Sequence, residues 1–210
     1  MKVTDLLKGI NYEGEIPIEF QIDKVAYDSR KVDKGACFIA IKGHIVDGND
    51  YIESAINNGA SLIITDQRNK SFQVPSIKVN NSRKALSVIA SNLYRNPSKN
   101  INTVGITGTN GKTTIACIVK TILKEGFKKE CATIGTLGFS VNEDVFETNL
   151  TTPESLDIQW MLKSLVDNKI ENIVLETSSH ALKQHRVHNV DFNVGVFTNL
   201  TQDHLDYHKT

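Results

Sequence analysis

The chain has 210 residues, enough to form one large or two small domains and to bury roughly 70% of its unfolded surface. Lys and Arg together number 24 and Asp and Glu number 24, so no overall field gathers a polyanion such as nucleic acid or an acidic membrane. Phosphate recognition therefore has to be local. Cys37, Cys117 and Cys131 are odd in number, widely spaced and form no CxxC pair, which excludes a disulfide framework or zinc knuckle and reads as three buried thiols in a reducing cytoplasm. The N-terminal stretch has charges interrupting its apolar runs, unlike a signal peptide. No apolar run approaches the ~20 residues of a membrane span, and a cytoplasmic protein is expected.

In chain order, the run "ACFIAI" (36–41) reads as a short strand, and residues 47–65 as a helix followed by a strand, with Ile52, Ala55 and Ile56 inward and a stop at Gly59. The run "SIKVN" (76–80) is the next strand, and from Ser82 a helix follows in which Ala85, Leu86, Ile89 and Leu93 keep helical spacing. Polar residues and Pro97 in "YRNPSKN" (94–100) then break the pattern. This divides the chain into domains 1–97 and 98–210.

Beyond the break, "INTVGITG" is a strand running into "GITGTNGKTT" (105–114), and Ile115, Ile118, Val119 and Ile122 mark the expected buried stripe of the next helix. Further strands are expected at 131–136, 172–177 and 192–199, a hairpin at 138–148, and a helix over 153–166 with Ile158, Met161, Leu162 and Leu165 inward. Continuous apolar strands separated by helices predict an α/β fold. The second domain should be a mostly parallel sheet covered on both faces, preceded by a small α/β domain.

The stretch 105–114 fails the usual phosphate-loop pattern, since Ile106 stands where the first glycine should be. The physical requirement is nonetheless met. Successive backbone amides at a helix N-terminus must turn toward one concavity, and Gly108 and Gly111 permit the turns, with Thr109 and Asn110 making up the spacing. Lys112 is placed to reach the β and γ phosphates and Thr113 to give its hydroxyl to Mg2+. A carboxylate at the end of a neighbouring buried strand completes such a site, and Glu176 ends "NIVLET". The bland alternatives are a glycine turn before an exposed helix and a strand-terminal Glu facing water. The coincidence of strand, Gly-Lys-Thr-Thr and helix favours a nucleoside triphosphate site.

His180, His185, His188, His204 and His208 crowd the last 31 residues. The four-residue spacing of His204 and His208 would suit a zinc pair on a helix. Asp203, Asp206 and the surrounding hydroxyls are harder ligands that suit Mg2+ better, with His188 and His208 left as surface residues.

"TGTNGKTT", "TTPES", "LETSSHAL", "QHRV" and "FTNLTQDHLDYH", in this order, resemble the Mur ligases, a match running through nearly the whole chain. "YDSR" and "IKGHIVDG" resemble the uridine-binding segments of that family's first domain. The resemblance implies a UDP-sugar-binding domain over 1–97 and a central ATP-binding domain over 98–210. It implies an ATP- and Mg2+-dependent amide ligase of cell-wall (peptidoglycan) precursor synthesis. Such an enzyme activates the terminal carboxylate of a UDP-N-acetylmuramoyl dipeptide as an acyl phosphate, which the amine of an incoming amino acid attacks; "LETSSHAL" with "QHRV" points to addition of the third residue. Neither nucleic acid nor membrane is an expected partner.

Carried over by residue, Gly108, Thr109, Asn110, Gly111, Lys112, Thr113 and Thr114 form the ATP loop, and Thr113, Glu176 and His204 hold the metal, with Lys112, Glu176 and His204 as the catalytic set. Ser29, His44, Ile45 and Val46 hold the UDP end of the substrate. Thr151, Thr152, Ser178, Gln184 and Arg186 hold its diphosphate, sugar and peptide. Many relatives have Asn where Leu150 stands. Members of the family continue past "DHLDYH" to a carbamylated lysine and an amino-acid-binding domain. The expectation for the 210 residues alone is retained UDP recognition, weakened ATP binding and no net synthesis. The competing readings are a P-loop kinase or NTPase, which gives "YDSR" and "IKGHIVDG" no task, and a non-catalytic nucleotide-sugar-binding fragment.

Overall fold

The computed structural model describes the chain except Ile18, His44, Ile45, residues 68–71 and Thr210. It divides into two compact units, Met1–Arg95 and Asn96–Thr210. No helix of the described residues is long and apolar enough to cross a membrane.

The first unit contains α1 (Val3–Leu6), β1 (Tyr12–Glu13), β2 (Val25–Ala26), β3 (Cys37–Ile39), α2 (Ile52–Asn57), β4 (Leu62–Thr65), β5 (Ser76–Val79) and α3 (Ser82–Leu93). Its sheet has the order β1-β5-β4-β3-β2, parallel except for β1. Every residue of β4 is buried, which is why this strand reads as an unbroken apolar run. The α3 helix begins where Asn81 accepts a hydrogen bond from the Lys84 amide at 2.9 Å, satisfying one orphan donor of the first turn. Asn92 near its end donates to the carbonyls of Leu6 and Lys8, tying it to the end of α1.

The second unit contains β6 (Asn102–Thr107), α4 (Lys112–Thr121), β7 (Cys131–Gly135), β8 (Gly138–Val141), β9 (Asp144–Phe146), α5 (Ser155–Asp167), β10 (Asn172–Glu176), α6 (Ser179–Lys183), β11 (Val194–Phe197) and α7 (Leu205–His208). Its sheet runs β11-β6-β10-β7-β8-β9. The first four strands are parallel, and the β8–β9 hairpin adds the antiparallel edge. From β6 the chain passes to β7 on one side, whereas from β10 it passes to β11 on the other. The carboxyl ends of the adjacent β6 and β10 therefore flank a topological switch point, the place where open α/β sheets bind ligands.

Alternation along β10 assigns the two faces. Ile173 and Leu175 join Ile158, Leu162 and Leu165 of α5 in one core, while Val174 joins Ile106, Ala116 and Cys131 on the α4 side. The inward stripe of α4 differs from the one its spacing predicts. Ala116 is buried and Ile115, Val119 and Leu123 pack against the sheet, whereas Ile118 and Ile122 are each 51% exposed. Two stripes at helical spacing are available in this segment. The loop fixes where the helix starts and so which of them turns inward, and the chain then widens into a π turn over Ile122–Gly126. Helices cover the sheet on both faces, α5 on one and α4 on the other, while Val194 and Phe197 of the edge strand β11 stay exposed.

Two of the expected buried thiols are buried, Cys37 and Cys131, but Cys117 is exposed. Burial raises the Cys37 thiol far above its usual range and pushes Cys131 up to about 11, because desolvation disfavours the thiolate. A disulfide-exchange reagent should label one thiol per native chain, at Cys117, and three after denaturation. Ile173→Ala, which empties a fully buried position, should lower stability in urea unfolding by about 2–5 kcal/mol. Ile122→Ala should change it by only about 0.5 kcal/mol.

Candidate active site

The loop after β6 is shaped by what stands behind it. Gly108 has φ 130°, and a Cβ there would lie 2.2 Å from Thr198 Oγ1 and 2.9 Å from the Asn199 carbonyl oxygen, so only glycine lets the chain pass the end of β11. Gly111, at φ 87°, caps α4 from the left-handed region. Between them the loop is clasped by three residues that sequence reasoning left without a role, Thr198, Asn199 and Thr201. The Thr109 and Asn110 amides donate to the Asn199 carbonyl and side-chain oxygens, both at 3.0 Å. Thr198 Oγ1 and Asn199 Nδ2 donate to the Asn110 carbonyl at 2.7 and 3.1 Å, and the Thr201 amide donates to Thr109 Oγ1 at 2.9 Å. The signal was the "TN" of "FTNLTQDH", lying 88–92 residues from the loop in sequence.

This clasp shortens the expected run of inward-turned amides, because those of Thr109 and Asn110 are already used. The first bond closing α4 runs from the Ile115 amide to the Gly111 carbonyl at 3.0 Å. The amides of Lys112, Thr113 and Thr114 precede it, at the end of the helix that favours anions. Lys112 Nζ folds over the loop and donates to the Gly108 and Thr109 carbonyls at 2.8 and 2.9 Å, which stations its charge at the loop mouth.

Alternation along β10 carries Glu176 to the α4 face, and the pairing of Glu176 with Ile106 sets it beside the end of the strand that feeds the loop. Glu176 is 3% exposed, and its carboxylate accepts three hydrogen bonds. Thr113 Oγ1 donates to Oε2 at 2.8 Å, the Thr136 amide to Oε1 at 3.1 Å, and Thr136 Oγ1 to Oε2 at 3.2 Å. Thr113 and Glu176, which sequence reasoning paired across 63 residues, are thus in direct contact.

A cleft of about 630 Å3 opens in front of the loop, lined by Gly108, Thr109, Lys112, Ser178, His204 and neighbours, a volume typical of small-molecule sites. His204 therefore faces the same space as Lys112. Its ring stacks edge-on against His180 with centroids 4.6 Å apart. His208, expected to be a surface residue or half of a zinc pair, is hydrogen-bonded through Nε2 to Ser179 Oγ at 2.9 Å. Among the described residues no group of three or more His, Cys, Asp and Glu is placed to hold a metal. A hydroxyl in contact with a buried carboxylate at the edge of an anion site nonetheless fits Mg2+. That ion takes hard oxygen donors, needs only one or two carboxylates and fills its remaining positions with water and phosphate.

The residues expected on the substrate side fall into two places. In the first unit Ser29 is buried and opens a short 3-10 turn. The Arg30 guanidinium and amide donate to the Asp28 carboxyl just before it and hold that group below the usual carboxylate range. Val46 is exposed and its carbonyl accepts from the Gly43 amide at 2.8 Å, while His44 and Ile45 lie outside the described residues.

In the second unit Thr152 is 1% exposed; its hydroxyl donates to the Glu176 carbonyl at 2.7 Å and accepts from the Ser178 amide at 3.0 Å. Arg186, expected to offer a guanidinium fork to a diphosphate, is instead turned into the protein. Its Nη1 and Nη2 donate to the Thr152 carbonyl and Gln184 Oε1, each at 2.8 Å. Its Nε lies 3.2 Å from Glu154 Oε1. A buried guanidinium takes protein acceptors because leaving it unpaired is costly. Gln184 continues the chain by donating from Nε2 to the Tyr207 hydroxyl at 3.1 Å.

Comparison with known proteins follows the same division. Residues 106–210 match the Mur ligase middle domain and residues 21–94 match the family described as Mur ligase family, catalytic domain. UDP-N-acetylmuramoyl-L-alanyl-D-glutamate--2,6-diaminopimelate ligase of Clostridium tetani is 45% identical over 218 aligned positions, and the enzyme of the same name from Clostridium botulinum is 43% identical over 215. Both alignments cover 100% of this chain but 44% of the relative, so the chain spans less than half the length of the curated relatives it matches. A solved structure of a protein of that name superposes with a TM-score of 0.81 at 27% identity, covering 100% of this chain and 42% of that one. MurF ligase from Thermotoga maritima in complex with ADP gives a TM-score of 0.57 at 25% identity over 89% of this chain and 40% of that one. With its clasped glycine loop, its buried strand-end carboxylate and a family match across half its length, this chain belongs to the Mur ligase family.

Proposed function

We propose that this chain carries the ATP- and nucleotide-sugar-binding part of an ATP-dependent ligase that extends UDP-N-acetylmuramoyl-L-alanyl-D-glutamate by one amino acid. The relatives named above are diaminopimelate ligases, which makes 2,6-diaminopimelate the residue we assign. The observation that carries the reading is the 2.8 Å hydrogen bond from Thr113 to Glu176. It brings the only hydroxyl adjacent to Lys112 in the loop against a buried carboxylate, at the carboxyl end of a parallel sheet.

In this reading the Lys112 ammonium and the amides opening α4 receive the β and γ phosphates. Thr113 donates its proton to Glu176 and keeps its lone pairs for Mg2+, with Glu176 and His204 as the other protein ligands. The metal, when bound, neutralises phosphate charge that builds up during transfer. A carboxylate oxygen of the substrate attacks the γ phosphorus, the bond to the bridging oxygen breaks and ADP leaves. The amine then attacks the acyl carbon of the acyl phosphate, losing a proton as inorganic phosphate departs. Ser29 and the 44–46 segment hold the uridine end. Thr151 and Ser178 meet the diphosphate and sugar, and Arg186 acts by fixing Thr152 and Gln184.

Isothermal titration of the chain with Mg-ATP and with the nucleotide-sugar dipeptide tests both halves of the assignment. Lys112→Ala should weaken Mg-ATP binding at least about tenfold, as expected for removing a charged hydrogen-bonding partner, and leave nucleotide-sugar affinity in the wild-type range. Asn199→Ala should weaken Mg-ATP binding about fivefold by unclasping the loop. Undiminished ATP affinity in Lys112→Ala would sink the assignment of the loop.

A further inference from the structure

The Glu176 carboxylate is oriented by a residue that no part of the functional reading uses. Thr136 occupies the two-residue turn of the β7–β8 hairpin, and it presents both its amide and its hydroxyl to the carboxylate, at 3.1 and 3.2 Å. Gly135 before it is shaped for the same contact. A Cβ there would lie 2.1 Å from Glu176 Oε1, so the glycine makes the space in which the carboxylate lies. The Thr136 hydroxyl is also 3.3 Å from the Thr151 hydroxyl.

The direction of these bonds follows from proton count. A carboxylate only accepts, so Thr113 and Thr136 each give their single hydroxyl proton to Glu176, and Thr136 can meet Thr151 only as an acceptor. The protons therefore run from Thr151 to Thr136 to Glu176. One hydroxyl stands between a residue assigned to the sugar substrate and the residue assigned to the metal.

We propose that Thr136 is the positioning residue of this site, fixing the Glu176 carboxylate for the metal through its amide and hydroxyl while its hydroxyl holds Thr151 in the same hydrogen-bond chain. The proposal rests on the reading of Glu176 as a metal ligand. Partners that orient a ligating carboxylate typically change metal affinity about 10- to 100-fold when removed. Thr136→Val removes the hydroxyl and keeps the amide and the shape of the side chain. Thr136→Ser keeps the hydroxyl.

The experiment is a Mn2+ titration followed by electron paramagnetic resonance, in the presence of a non-hydrolysable ATP analogue, on the wild type and both variants. Thermal unfolding and metal-free binding of the analogue are measured alongside. Thr136→Val should weaken Mn2+ binding about 10- to 100-fold with metal-free nucleotide affinity unchanged and only a modest fall in its unfolding midpoint, from the lost hydrogen bond to a buried carboxylate, and Thr136→Ser should return Mn2+ affinity to the wild-type range. Equal Mn2+ affinity in Thr136→Val and wild type, or no recovery in Thr136→Ser, overturns the proposal. A Thr136→Val chain that melts early, while Thr136→Ser melts normally and still binds Mn2+ poorly, also overturns it. A wild-type chain that takes up no Mn2+ with the analogue overturns the reading of the site itself, and this proposal with it.

Discussion

A buried carboxylate that must be matched by donors organises the second unit. Glu176 is almost wholly withdrawn from water, and an ionised group there is tolerable only when its oxygens are hydrogen-bonded. The donors come from the first turn of α4 and from the β7–β8 turn, so β10 has to lie between β6 and β7, in a register that ends Glu176 level with Ile106. The same demand explains Gly135, which leaves no atom where the carboxylate lies. Sheet order, register and loop position are thus linked through a single side chain.

The loop is held from the opposite side by the segment after β11. Thr198, Asn199 and Thr201 engage Thr109 and Asn110 through their amides, a carbonyl and a hydroxyl, so the loop is fixed between two parts of the chain rather than by its own glycines alone. A loop held this way has its remaining donors oriented before a ligand arrives, which is how a preorganised anion site gains over water. Asn199 takes up the Thr109 and Asn110 amides, and the amides that precede the first bond closing α4 are those of the helix start.

The residues expected on the substrate side form a second network. Arg186 joins Thr152, Gln184 and Glu154, and Thr152 in turn binds the Glu176 carbonyl and the Ser178 amide. The guanidinium that a reader of the sequence would aim at a ligand is here turned to the Thr152 carbonyl, Gln184 and Glu154. Ser178, whose amide donates to Thr152, also lines the cleft.

The periodic features of the chain were legible in advance: the strand–loop–helix around Lys112, the division near Pro97, and Glu176 at the end of an apolar strand, all of which follow from local propensity and the two-residue and 3.6-residue repeats. So was the family, because its motifs are short, ordered and carried by residue identity. The inward face of α4, the exposure of Cys117, the clasp by Asn199 and the inward turn of Arg186 were decided only by tertiary structure. The clasp joins segments 88 to 92 residues apart and Arg186 reaches a carbonyl 34 residues away, contacts made only by the way the fold brings those segments together. Spacing along a chain specifies which faces an element can present; the partners that satisfy its polar groups specify which face it does present.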